Sequence, residues 1–269
     1  MTKAKSKIRF VLILSLLCLN TGPAQALRLV SLKPNITMTL LALGTASDVV
    51  GVTKYCPKPN KAATIVGDYV SINVEDIVRL KPDVILSSRE NSQNRQYETL
   101  TRAGLRVEYL DFSTWSDLKK AITKIGKILG RTDESLKFSN DLEARLEHLI
   151  NNEAAPWRGK SFAVIVQRQP LIIAAGETFV SSLLTHTGLK NVFEANRIAY
   201  PVLDEETFLR KSADIIFDMT HDADSGKAFF GKNVVQIYIE DYLAAPQSVT
   251  ALEKLFRDWN DQHNFAKTP

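Results

Sequence analysis

The sequence contains an internal repeat. The stretch Tyr69 to Ser88, YVSINVEDIVRLKPDVILSS, returns as Tyr200 to Met219, YPVLDEETFLRKSADIIFDM, at a constant offset of 131 residues. Each copy predicts a loop with an aromatic residue, a short helix opened by acidic residues, a tight turn and an apolar strand. A chain that repeats such a unit is expected to form two related halves that face each other across a cleft.

The two copies match at both acidic and apolar positions. The paired residues are Tyr69 with Tyr200, Glu75 with Glu206, Ile77 with Phe208, Val78 with Leu209, Arg79 with Arg210 and Asp83 with Asp214. Carboxylates in the first turn complement the positive end of a helix dipole, so an acidic start alone requires no further role. Glu75 and Glu206 are therefore equivalent positions, and their role is open between helix capping and recognition of a partner.

The first 26 residues have the composition of a secretory signal peptide. Four basic residues precede an apolar run from Phe10 to Leu19, and small residues follow at 24–26. We predict cleavage after Ala26 and a location in the periplasm. A competing interpretation makes Cys18 a lipidated cysteine, although such sites favour a small residue before the cysteine and Leu17 stands there.

The charge of the chain is concentrated in this leader. Its removal takes away four of the 34 basic residues and none of the 30 acidic ones, which leaves residues 27–269 with no net charge. A neutral chain gives no electrostatic reason to expect nucleic acid as a partner. Only Cys56 remains after cleavage, so no disulfide can form within the mature chain.

Strands and helices alternate along the mature chain, which predicts α/β layers with parallel sheets. A buried strand at Leu27 to Leu32 is followed by a turn at Pro34-Asn35 and a helix from about Thr37 to Leu43. Two helices follow in the middle of the chain, the first capped by Thr114 and the second running from about Thr132 to Asn152. The second helix spans roughly 30 Å at about 1.5 Å per residue, so it can join two lobes as a strut.

These elements predict two lobes with a ligand cleft between them. We expect an N-terminal lobe over residues 27–113, connecting helices over 114–155 and a C-terminal lobe over 156–269. Ligands of open α/β sheets bind beyond the carboxyl ends of the strands, where loop side chains converge. The candidate binding residues in such loops are Tyr55, Tyr69, Tyr200, Asp241 and Tyr242. Each could also be a packing or strand-ending residue, and the repeat favours Tyr69 and Tyr200.

The sequence gives little support for catalysis. It contains no G-x-S-x-G elbow, no glycine-rich nucleotide loop and no C-x-x-C pair. The cluster of His221, Asp222 and Asp224 could bind a metal or move protons, but a polar loop of this composition is also typical of a turn. The four histidines show no ligand spacing, so we predict neither a metal site nor a cofactor.

Three segments resemble a known family. They are SLKPNITMTLLALG at 31–44, VVGVTKYC at 49–56 and NVEDIVRLKPDVIL at 73–86. They are similar to the N-terminal lobe of bacterial periplasmic binding proteins that serve cobalamin and iron-siderophore ABC importers. The similarity is greatest to the cobalamin-binding branch, and it covers essentially the whole mature chain.

The resemblance implies two Rossmann-like lobes joined by a single long helix, with the ligand held between them. It also implies that a glutamate on each lobe docks on arginines of a permease dimer, and Glu75 and Glu206 match those positions. Tyr55, Tyr69 and Tyr200 fall where the cobalamin binders place aromatic residues of the cleft.

The implied function is that of a monomeric receptor, which delivers a corrinoid such as cobalamin to an ABC importer with its ATPase. A ferric siderophore or haem is the alternative ligand, because positions that can be tryptophan in the cobalamin branch are tyrosine here. An exported α/β enzyme that uses the loop from His221 to Asp224 is the alternative from another class.

Overall fold

The computed structural model describes residues 27–68, 70–220, 229, 234–237 and 245–262. In these ranges the chain alternates between short strands and helices. The strands are β1 (Leu29–Ser31), β2 (Val49–Val52), β3 (Thr64–Ile65), β4 (Val84–Ser88), β5 (Val107–Leu110), β6 (Ser161–Gln167), β7 (Ile172–Ile173), β8 (Lys190–Asn191), β9 (Ile215–Asp218) and β10 (Val234–Gln236). The helices are α1 (Pro34–Ala42), α2 (Val74–Arg79), α3 (Arg95–Arg102), α4 (Trp115–Ile128), α5 (Thr132–Asn151), α6 (Phe179–His186), α7 (Glu205–Arg210) and α8 (Gln247–Gln262).

The first sheet contains five parallel strands in the order β3-β2-β1-β4-β5. Leu29 and Val30 of β1 are fully buried although they point to opposite faces, as expected for a sheet that is covered on both sides. From β1 the chain first moves outward to β2 and β3, and it then crosses back to β4 on the other side. The strand order therefore reverses between β1 and β4, which is the position where open α/β sheets bind ligands.

The second sheet has the order β10-β9-β6-β7, and β8 also pairs with β6. All of its pairs are parallel except β6 with β7, which is antiparallel. The prediction of parallel sheets is thus wrong for this one edge strand. Only residues 168–171 separate β6 from β7, and so short a connection can return only in the antiparallel direction.

The helix ends agree with the signals in the sequence, with one exception. α1 begins at Pro34, not near Thr37, because proline lacks an N–H and has the φ that the first helical position requires. It is followed by Gly44 in the left-handed region at φ 73°, as expected of a helix-ending glycine. The predicted cap of α4 is confirmed, because the Thr114 hydroxyl accepts a hydrogen bond from the backbone N–H of Asp117 at 3.2 Å.

α4 and α5 form a tightly packed helical hairpin between the two sheets. A Cβ atom at Gly126 would lie 1.9 Å from the Ser135 hydroxyl oxygen, so glycine permits the close approach of the two helices. α5 has 20 residues, which agrees with the predicted strut of roughly 30 Å.

Polar contacts hold α5 on two sides. Glu143 accepts a hydrogen bond from the Trp115 indole at 2.8 Å and pairs with Lys119 at 2.7 Å, both on α4. Partial burial opposes ionisation of Glu143, but these two partners hold its pKa below the usual glutamate range. Two residues further along, on the other side of the helix, Arg145 pairs with Glu253 of α8 at 2.7 Å. The strut is therefore fixed to both the preceding and the following parts of the chain.

The largest cluster of buried apolar side chains is continuous across both sheets. It includes Leu29 of β1, Leu118 of α4, Leu146 of α5, Phe217 of β9 and Trp259 of α8. The two lobes thus share this core, while each lobe also has a separate cluster of its own, around Ile77 in the first and Phe208 in the second. The predicted boundaries at 113/114 and 155/156 stay predictions. In the ranges described, no helix combines the length and the apolar composition needed to cross a membrane.

Candidate functional site

A cleft with a volume of about 620 Å³ separates the two lobes. This volume lies in the range of small-molecule sites in proteins. The described residues that line it come from both lobes: 33–35, 88–90 and 110–113 from the first, and Val166, 177–180, 199–200 and Met219 from the second.

The sheet topology explains why these residues meet. In the first lobe, the lining segments directly follow the carboxyl ends of β1, β4 and β5. These ends lie side by side because the strands are parallel neighbours, and the reversal of strand order between β1 and β4 opens a crevice there. In the second lobe, Val166 lies near the end of β6 and Met219 directly follows β9, so the two sheets direct the same edge toward the cleft.

Lys33 and Glu90 form an ion pair at the wall of the cleft. The Lys33 Nζ atom lies 2.7 Å from Glu90 Oε1, and the Lys33 side chain is only 13% exposed. Burial of the Glu90 carboxyl opposes its ionisation, but the hydrogen bond and charge of Lys33 hold its pKa below the usual range. The positive charge of Lys33 is therefore already neutralised inside the protein.

A second ion pair lies next to the first. Arg89 Nε lies 3.3 Å from Asp111 Oδ2, which joins the loops after β4 and β5. Glu177, in front of α6, is exposed and forms no ion pair with another described residue. Among the described lining residues, both cations are paired with carboxylates and the remaining charge is negative.

Tyr200 is the predicted binding residue that lines the cleft. Desolvation raises the pKa of its phenol, and the nearby Glu90 carboxylate adds to this effect, so the hydroxyl stays protonated near neutral pH. Tyr55 lies in the exposed loop after β2, with the Lys54 ammonium 5.7 Å from its ring centroid, and it is not among the described lining residues. The role of Tyr55 in ligand binding stays a prediction.

Several predicted residues lie outside the described ranges. They are Tyr69, Asp241 and Tyr242 of the predicted binding site and His221, Asp222 and Asp224 of the candidate catalytic loop. Within the ranges described, no group of three or more histidine, cysteine, aspartate or glutamate residues could hold a metal ion.

The charged residues of the cleft were not among the sequence-based candidates. Lys33 and Asp111 directly follow predicted strands and Glu90 lies in the loop after another, which are positions that by themselves indicate a ligand crevice. The candidates from the sequence were mainly aromatic residues of loops. The ion pairs of the cleft join residues that are far apart in the sequence, up to 57 positions for Lys33 and Glu90. Position after a strand was therefore a usable signal, whereas the pairing was not visible in the sequence.

The two acidic helices of the repeat have the same local geometry. α2 covers residues 74–79 and α7 covers residues 205–210, which is the offset of 131 found in the sequence. The side chain of Asn73 accepts a hydrogen bond from the N–H of Asp76, and that of Asp204 accepts one from the N–H of Thr207. Because Asn73 and Asp204 cap the helices, capping does not require the glutamates two residues further on.

Glu75 and Glu206 are both exposed on these helices. Glu75 forms no ion pair with another described residue, while Glu206 lies 3.7 Å from Arg210 on its own helix. The structure thus places one accessible carboxylate at the same point of each lobe.

Comparisons with known proteins agree with this architecture. The periplasmic binding protein family model matches residues 29–235. The vitamin B12-binding protein of Yersinia pestis is 28% identical over 255 residues, which cover 91% of this chain and 90% of the relative.

Two solved structures support the fold. The periplasmic vitamin B12 binding protein of Vibrio cholerae has a TM-score of 0.74 at 22% identity, over 86% of this chain and 95% of that chain. The periplasmic heme binding protein of Vibrio cholerae has a TM-score of 0.76 at 18% identity, over 87% of this chain and 99% of that chain.

Proposed function

This chain belongs to the periplasmic binding protein family, and on that premise we propose that it captures a corrinoid such as cobalamin and delivers it to an ABC importer. The family and the relatives are binding proteins and not enzymes, so the alternative of an exported enzyme is excluded. We further propose that the chain acts as a monomer, that its first 26 residues are a signal peptide cleaved after Ala26, and that Cys18 is removed with them.

The observation that carries the choice of ligand is the charge of the cleft. Lys33 and Arg89 are both paired with carboxylates of the same lobe. The carboxylates of haem, or the charges of an anionic ferric chelate, would therefore lack a free cation among the described lining residues. The edge of a corrinoid carries neutral carboxamides, which can bond to carboxylates, hydroxyls and backbone groups without a change of charge.

Haem or a ferric siderophore is the second candidate. Tyr200 and Met219 line the cleft, and tyrosine and methionine side chains are known ligands of haem iron. The raised pKa of Tyr200 does not decide between the ligands, because a bound iron would itself displace the phenol proton, so the choice rests on the charge of the cleft.

Titration of the purified mature protein tests the ligand. We expect cyanocobalamin to bind at one molecule per chain in calorimetry, and hemin and ferric hydroxamates to bind more weakly. Tyr200→Ala and Tyr69→Ala should each weaken binding, since a lost aromatic contact typically costs about 0.5–1.5 kcal/mol beyond its buried area. Tight binding of hemin with none of cyanocobalamin would refute the corrinoid assignment.

The charge argument has a test of its own. Glu90→Gln removes the carboxylate that neutralises Lys33, so the affinity for hemin should rise while that for cyanocobalamin changes little. The matched control is Glu98→Gln, because Glu98 is an exposed carboxylate paired with Arg102 outside the cleft. An equal effect of the two variants on hemin would show that the Lys33 pair does not control selectivity.

We propose that Glu75 and Glu206 dock on the permease dimer of the importer, one glutamate on each half. Exposed ion pairs contribute only about 0.2–1 kcal/mol each, so their role is to set the register and speed the encounter. The double change to Gln should leave ligand affinity and melting temperature nearly unaltered and reduce uptake strongly, and the double change to Arg should be worse. Normal uptake with both residues changed to Gln would rule out this role.

A further inference from the structure

The exposed apolar side chains of this protein are unevenly distributed. Nine large apolar residues are exposed in the part of the chain that the structure describes, and eight of them lie in two segments, residues 55–78 and 198–209. One of the eight, Tyr200, lines the ligand cleft, which leaves seven for another role. These segments contain or adjoin the two copies of the repeat. Single exposed apolar residues are normal on protein surfaces, but such a concentration indicates an interaction surface.

Each segment ends at an equivalent aliphatic residue. Val78 on α2 is 42% exposed, and Leu209 on α7, at the matching position of the repeat, is 43% exposed. Each lies three residues after a glutamate, Glu75 or Glu206, and residues three apart on a helix are neighbours on one face. Each lobe thus presents a carboxylate and an aliphatic side chain side by side.

The basic residue of each helix is occupied by its own helix. Arg79 pairs with Asp76 at 2.7 Å, and the matching Arg210 lies 3.7 Å from Glu206. Buried partners at the preceding position, Ile77 and Phe208, anchor the opposite side of each helix in its lobe. On the first lobe Glu75 therefore has no ion pair with a described residue, whereas on the second lobe Glu206 itself faces Arg210, at a surface where both side chains are mostly exposed. Each lobe still presents an exposed glutamate beside an exposed aliphatic side chain.

We propose that Val78 and Leu209 are the apolar half of the docking surface for the importer and contribute more to its binding free energy than the two glutamates do. The occupant we infer is a two-fold symmetric permease that offers, on each half, an apolar recess bordered by a basic side chain. This inference rests on the proposed function, and it adds which residues hold the complex together once the glutamates have aligned it.

Binding of the mature protein to the cognate importer in lipid nanodiscs tests the proposal. Val78→Ser and Leu209→Ser should each weaken binding by about tenfold, and the double variant by about a hundredfold, because distant contacts add in free energy. The loss should lie in the dissociation rate and be independent of salt. Glu75→Gln with Glu206→Gln should instead slow association and reduce its dependence on salt.

Leu136 provides a matched control. It is an aliphatic residue of α5 with the same 42% exposure, and it lies outside both segments. Leu136→Ser should bind the importer like the unaltered protein. The affinity for cyanocobalamin, measured for every variant, should be unchanged if folding is intact.

Each other outcome overturns the proposal. Val78→Ser and Leu209→Ser could lose no more affinity than Leu136→Ser while the glutamate variants still weaken binding. In that case the glutamates dock on the importer, but the two aliphatic residues do not contribute to its binding. An effect of only one of the two would rule out equivalent recesses. If the unaltered protein sediments as a dimer that Val78→Ser dissociates, the occupant is a second copy of the chain. If the unaltered protein does not bind cyanocobalamin, the proposed function itself is refuted.

Discussion

Both lobes fix the start of a central strand with an aspartate, but they surround that aspartate differently. In the first lobe, Asp83 accepts a hydrogen bond from the N–H of Arg28 at 2.7 Å, and the Arg28 guanidinium donates to the carbonyl of Leu80. In the second lobe, Asp214 accepts hydrogen bonds from both the N–H and the hydroxyl of Ser161. In both lobes an aspartate of the repeat thus accepts a hydrogen bond from a backbone N–H at the start of a strand. The other hydrogen bonds around this aspartate differ between the lobes.

The anchors of the two acidic helices differ in the same way. Phe208 lies between two aromatic rings, with centroids 5.8 Å from Phe193 and 5.7 Å from Phe229. Ile77 belongs to a separate, mainly aliphatic cluster. The comparison indicates that helix position is shared between the lobes while the packing that fixes it is not.

The largest expected effect comes from removal of these anchors. Phe208→Ala should cost about 3–5 kcal/mol of unfolding free energy, and Ile77→Ala about 2–5 kcal/mol, since both leave a cavity. Because the core is continuous, urea unfolding should show one transition for each variant. Val78→Ala, which changes an exposed residue, should alter stability by less than about 0.5 kcal/mol. A separate early transition of one lobe would show that the shared core does not couple them.

A smaller effect separates the two helix caps. The backbone N–H of Thr207 donates a hydrogen bond to the Asp204 carboxylate and is the main cause that holds the pKa of Asp204 below its usual value, and the Thr207 hydroxyl adds to it. The corresponding cap of the other helix, Asn73, has no titratable group. A depressed pKa means that the stabilisation is present above the ordinary aspartate pKa of about 3.9 and is lost as the pH falls below it. Asp204→Asn should therefore melt close to the unaltered protein at pH 7 and lose less stability on acidification to pH 3. Parallel losses in both proteins would contradict this difference between the caps.

The smallest expected effect is the movement of the lobes on ligand binding. α5 is held by Glu143 on one side and by Arg145 on the other, so we expect little closure. Small-angle scattering should give the same radius of gyration with and without cyanocobalamin. In the combined variant Glu143→Gln and Arg145→Gln, the radius of gyration should differ more between the free and the bound protein. A large change in the radius of gyration of the unaltered protein would show that the strut acts as a hinge.

Much of the fold was predictable because it is written in local patterns. The repeat predicted the position of α2 and α7, Thr114 predicted the start of α4, and the apolar runs predicted the strands. These features depend on residues a few positions apart. The direction of β7 and the start of α1 at Pro34 were missed, because strand direction depends on the length of a connection and proline permits a helix start as readily as a turn.

The site was less predictable than the fold. Tyr200 was recognised through its place in the repeat, and it does line the cleft. The pairs of Lys33 with Glu90 and of Arg89 with Asp111 were not recognised, since each joins loops that only the strand order brings together. The ligand preference that we propose rests on such pairs, so it could not be inferred from residue types alone.

The shared core also bears on how the protein would mature after the export that we propose. A chain that enters the periplasm from its N-terminus presents all five strands of the first sheet before residue 111. Its core is incomplete at that stage, because Val249, Leu252 and Phe256 of α8 belong to it and Gln247 of α8 donates to the Met38 sulfur of α1 at 2.9 Å. Apolar surface on the early sheet therefore stays open until α8 has crossed the membrane. A nascent chain held at this step would be the form most exposed to periplasmic proteases and most dependent on chaperones.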